Sequence, residues 1–100
     1  GDITKEYEND KIEVILTWSI QVRKATKIME EQGDGSKKEL TRKFHRHVLV
    51  PFHSSKDSDN KWTHSATDIS GEDADVQAIC NAAWTNTVKN NYKTFTEANG

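Results

Sequence analysis

Between Ile12 and Val22 every second residue is apolar: Ile12, Val14, Leu16, Trp18, Ile20 and Val22. Glu13, Ile15, Thr17, Ser19 and Gln21 stand between them, polar but for one. A period of two predicts a β-strand with one face on a core and the other in water. Phe44, Val48, Val50 and Phe52 share one parity and predict a second strand, with Pro51 near its end. A weaker alternation of Trp62, His64 and Ala66 predicts a third, and the polar segment 53–60 before it reads as a loop.

The first two runs flank Gly33-Asp34-Gly35, a turn sequence. If Gln32 faces Ser36 across it, Ile20 meets Val48, Trp18 meets Val50 and Leu16 meets Phe52. Ile28 then faces Leu40, while Glu30 and Glu31 face Lys38 and Lys37. Apolar side chains meet apolar ones and opposite charges meet, as cross-strand pairing requires. Lys24 opposite Phe44 and Val22 opposite Arg46 are the poor pairs. A short helix over 23–32, or one starting at Ser36 with Glu39 in capping-box spacing, is the competing arrangement.

After Asp68 the period changes. Val76, Ile79, Cys80, Ala83, Trp84, Val88, Tyr92 and Phe95 recur every three or four residues, one apolar stripe on a helix. Ser70 is its expected cap, with Glu72, Asp73 and Asp75 suiting the positive end of the helix dipole. Thr85-Asn86-Thr87 is a poor helix interior and predicts a kink or a second cap at Thr85. The fold class is therefore α+β. A two- or three-stranded antiparallel meander (about 11–29, 38–52 and 61–68) is covered on one face by a C-terminal helix (about 71–97), breakable near 85. Residues 1–10 read as a flexible arm or edge strand ahead of a single domain, 11–100. The predicted core joins Leu16, Trp18, Val50 and Phe52 to the helix stripe.

Composition narrows the functional classes. The chain has 100 residues, 33% of them hydrophobic, and a mean hydropathy of −0.88, so the core is small and association with a partner would stabilise it. A formal net charge of −2 gives no global attraction to nucleic acid or membrane. No signal peptide or transmembrane run is visible, which suggests a cytoplasmic or virion-associated protein. The lone Cys80 lies on the apolar stripe and reads as a small buried hydrophobe.

Three groups of residues could carry chemistry. His45 and His47, two apart on a strand, project from one face, and His53 and His64 could join them in a metal site. The plainer account leaves them solvated. Lys37, Lys38, Arg42, Lys43 and Arg46 would make a basic β-hairpin arm able to track phosphates, though Lys and Arg also protect edge strands from aggregation. Trp62, among polar neighbours, is the aromatic best suited to an interface. Serines near His53 and Asp57 do not by proximity form a triad, and no phosphate loop is present. No catalytic residue and no cofactor is expected. The residues thus predict a small non-catalytic interaction or assembly domain whose partner is another protein or a second copy in a homodimer. By analogy alone, such domains serve virions, phages and mobile elements. Nucleic-acid binding by the basic arm and histidine-based metal binding are the alternatives.

Overall fold

A computed structural model describes all residues, Gly1–Gly100. The element order is β1 (Ile3–Ile15), β2 (Ser19–Glu31), β3 (Lys37–Leu49), β4 (Phe52–Lys56), β5 (Trp62–Ala66), α1 (Ala74–Ala83) and α2 (Asn86–Asn99). Strands β1, β2 and β3 form one sheet in that order, and β4 with β5 forms a second. The fold is α+β, with a small antiparallel sheet and a C-terminal helix divided near residues 84–86. The chain divides into two compact units, Gly1–Ile12 with Val22–His47 and Glu13–Gln21 with Val48–Gly100.

In the first unit, residues 23–31 are strand and not helix. Gln32 faces Ser36 as the turn sequence predicts, its N–H donating to the Ser36 carbonyl at 2.7 Å. Gly35 supplies the positive φ of 89° that the turn needs, and Asp34 accepts from Ser36 N–H at 2.9 Å. No helix starts at Ser36; its hydroxyl is spent on the Asp34 carboxylate, which tightens the turn. Residues 3–10 belong to β1, an edge of the sheet. Glu31 N–H bonds the Asp2 carbonyl at 2.9 Å, a register that sets Asp10 opposite Arg23 and Glu8 opposite Ala25.

The pairing of Lys24 with Phe44 and Val22 with Arg46 is not what forms. The guanidinium of Arg23 lies 4.9 Å from the Phe44 ring centroid, so Arg23 and Phe44 share a face. Glu39 and Arg42, three apart on β3, also meet on one side, at 2.7 Å. Strict alternation would put Glu39 and Arg42 on opposite faces, so it does not hold through the whole of β3.

In the second unit the long alternation proves to cross a turn. Leu16 and Thr17 have φ of 57° and 65°, both positive, within the three-residue connection from Leu16 to Trp18 that joins β1 to β2. The expected strand over 11–29 is therefore the end of β1 and most of β2. On the two sides of this turn Val14 is 49% exposed and Ile20 fully buried. Leu16, predicted as core opposite Phe52, sits at the turn and is 61% exposed.

Strand 38–52 and the third strand also need correction. β3 ends at Leu49, Pro51 is buried, and 52–56 is strand, not part of a polar loop. β4 pairs with β5 from Phe52↔Ala66 to Lys56↔Trp62, a separate hairpin and not a continuation of the meander. Asp57 closes its loop by accepting from Asp59 and Lys61 N–H groups at 2.8 and 2.9 Å. The helix begins at Ala74 with Asp73 as N-cap, in place of Ser70. Ser70 lies in a preceding turn, its N–H bonded to Asp68 and its carbonyl facing the Gln77 amide. The break is as the threonines predict. Thr85 caps α2, its hydroxyl accepting from Val88 N–H at 3.2 Å. Val76, Cys80 and Trp84 are buried, and Trp18 packs on Tyr92 and Phe95 at centroid distances of 5.8 and 5.2 Å.

Candidate functional site

The basic residues of β3 fall into two groups once the N-terminal strand is in place. Glu6, Glu8 and Asp10 alternate along β1, so their side chains share one face. Arg42 reaches Glu8 at 3.0 Å and also bonds Asp10 and Glu39. Because β2 lies between β1 and β3, Arg42 must cross it to reach those acids. Ala25 lies at the crossing and is fully buried. A methyl group there leaves room for the guanidinium to pass; a larger side chain would not.

Arg23 adds a second tie to Asp10, with Nε at 2.7 Å and the terminal nitrogen at 2.6 Å. Hydrogen bonding from Arg23 holds the Asp10 carboxyl below its ordinary range, and Arg42 adds to the effect. Arg42 itself is pushed up, first by its bonds to Glu39. Lys37 pairs with Glu6 at 3.4 Å and Lys27 with Glu8 at 3.4 Å. Phe44 lies under Arg23, with Arg46 5.9 Å from its ring. Of the five basic residues predicted as a phosphate-tracking set, Lys37 and Arg42 are neutralised within the unit, while Lys38, Lys43 and Arg46 remain exposed. The acids of β1 escaped the sequence reading because residues 1–10 looked aperiodic in their apolar content. The signal was in the charges, at positions 6, 8 and 10.

What stays open in this unit is its edges. β1 and β3 each have one strand neighbour, β2, so the outer side of each is an edge of the sheet. Large apolar side chains accompany them: Ile3 and Tyr7 on β1 are 58% and 73% exposed, Leu40 and Phe44 on β3 47% and 40%.

The histidines are dispersed. His45 is exposed and His47 half-buried on β3. His53 and His64 lie on opposite faces of the β4–β5 hairpin, because His53 pairs with Ser65 and His64 with Ser54. No three His, Cys, Asp or Glu side chains converge as a metal would require. His64 is instead the centre of a polar bridge within the second unit. Its Nδ1 is 2.6 Å from the Ser54 hydroxyl and its Nε2 2.7 Å from the Glu97 carboxylate. Trp62, proposed as an exposed contact, is half-buried and stacks on that imidazole at 5.9 Å with planes 3° apart. Phe52 meets the ring edge-on at 6.0 Å. The bridge fixes the hairpin to the last turns of α2. Cys80 is buried, and burial pushes its thiol up, away from nucleophilic use.

No helix is long and apolar enough to cross a membrane. Comparison of the chain with protein-family models, curated proteins and solved structures finds no match in any of the three.

Proposed function

We propose that this chain is a small non-catalytic interaction and assembly domain, acting through the open edges of its three-stranded sheet. The observation that carries the reading is the pair of 13-residue strands, β1 and β3, each paired on one side alone and each bearing exposed large apolar residues. An edge of that length is a template for an added strand: main-chain bonds supply affinity, and alternate side chains supply selectivity. The internal neutralisation of Arg42 and Lys37 weighs against a phosphate-tracking arm, since a cation already paired releases fewer counterions on binding.

Selection of binders from a random peptide library on the full chain tests this reading. Recovered peptides are expected to protect β1 or β3 amides from hydrogen exchange. Binders that protect only the helices or the β4–β5 hairpin would overturn it.

A further inference from the structure

We propose that the added strand comes from a second copy of this chain, the β3 edge of one molecule pairing with the β1 edge of the next. This rests on the edge-pairing reading above and names its occupant. Within the first unit β3 carries five cations against the single acid Glu39; Lys37 and Arg42 are tied to acids of their own copy, and Lys38, Lys43 and Arg46 are left to act outward. Pairing β3 with another β3 sets like charges opposite one another, which is destabilising. The β1 edge offers the opposite field, with Glu6, Glu8 and Asp10 on one face. Glu6 and Glu8 keep 39% and 41% of their side-chain surface open, so they can meet a second cation as well as their own.

The apolar content matches too. Each edge presents two large side chains four residues apart, Ile3 and Tyr7 on β1, Leu40 and Phe44 on β3. Ile3 and Tyr7, four apart, share a face of β1, and both edges carry exposed apolar residues among charges. Joining unlike edges leaves one free edge on every copy. The contact is heterologous, and it propagates into a filament or closes into a ring.

The hydrogen-bond register supplies selective blocks. The Asp2–Glu31 pairing directs the N–H groups of odd-numbered β1 residues outward, Tyr7 among them. The Gln32–Ser36 pairing does the same for Lys37 and Glu39. Tyr7→Pro therefore closes the β1 edge and Glu39→Pro the β3 edge, without removing a bond to β2.

Sedimentation velocity on the full chain decides the matter. Wild type is expected to grow beyond the dimer with concentration, and less so as salt rises. Each proline variant alone is expected to be monomeric, and an equimolar mixture to stop at the dimer, because each supplies the edge the other lacks. Wild type that stays monomeric at every concentration overturns the second-copy assignment and leaves edge binding to the peptide selection. Self-association of Tyr7→Pro that Glu39→Pro abolishes overturns it in favour of β3–β3 pairing. Assembly of both variants like wild type would remove the edges from the account altogether. If circular dichroism shows either proline variant unfolded, Lys38→Glu/Lys43→Glu replaces it, two exposed side chains whose reversal leaves the backbone alone; unchanged assembly in that variant also overturns the proposal.

Discussion

The indole Nε1–H of Trp84 donates to the main-chain carbonyl of Trp18 at 2.8 Å. Trp84 is also the C-cap of α1, its own N–H bonded to the Cys80 carbonyl at 2.9 Å. One residue thus ends a helix, fills the core and satisfies a carbonyl next to the β1–β2 turn. Trp84→Ala should cost about 3–5 kcal/mol through the cavity it leaves. Trp84→Phe keeps most of the volume but orphans the Trp18 carbonyl, at about 1–3 kcal/mol. Urea denaturation of both variants checks the order. Equal losses would show that the hydrogen bond contributes nothing.

The β1–β2 turn holds two residues ill suited to it. Leu16 and Thr17 both adopt positive φ, which costs an L-residue roughly 1–2 kcal/mol and is least comfortable for a β-branched one. Leu16→Asn/Thr17→Gly places there two residue types that tolerate positive φ. Chemical denaturation should show a gain of about 1–2 kcal/mol, since Leu16 is exposed and little packing is lost. A variant less stable than wild type would mean that Leu16 or Thr17 makes contacts outweighing the strain.

Ala25 and Arg42 should prove energetically coupled. Ala25→Leu is expected to destabilise by about 1–3 kcal/mol, by overfilling a site with no free surface. It should also displace Arg42 from Glu8 and Asp10. Arg42→Ala would then cost less in the Ala25→Leu background than in wild type. A double-mutant cycle measures this; additive losses would separate the two residues.

Asp10 gives the unit a defined acid response. Its carboxyl is held below the ordinary range, first by the hydrogen bond from Arg23. A native value below the unfolded one, about 3.9, means the unfolded chain takes up the proton first as pH falls. The stabilisation is therefore complete above about pH 4 and is lost as pH falls through the lower native value. The stability gap between wild type and Asp10→Asn should be constant near neutrality and close in acid. A gap that widened in acid would reverse the sign argued here.

Much of this was legible in the residues. The α+β class, the turn at Gly33-Asp34-Gly35 with Gln32 facing Ser36, the buried Cys80 and the second cap at Thr85 all follow from local chemistry. Glycine at positive φ, a hydroxyl beside free N–H groups and a 3.6-residue stripe act over a few residues, and each carries its own signature. The β1–β2 turn carried none. Leu16 and Thr17 are not turn formers, and the apolar alternation of the sequence runs through them without a break.

What only tertiary structure decided were the relations between distant segments. The chain by itself specified strands, stripe and caps. It did not specify that Glu8 and Asp10 would neutralise Arg42 across β2, separations of 34 and 32 residues that no local pattern encodes. Nor did it show that Phe44 would lie against Arg23, or that Ser54 would find His64 in place of His53. Strand periodicity states which residues share a side, never which strand lies next; order and register come from packing, and they determined which cations are spent and which edges stay open.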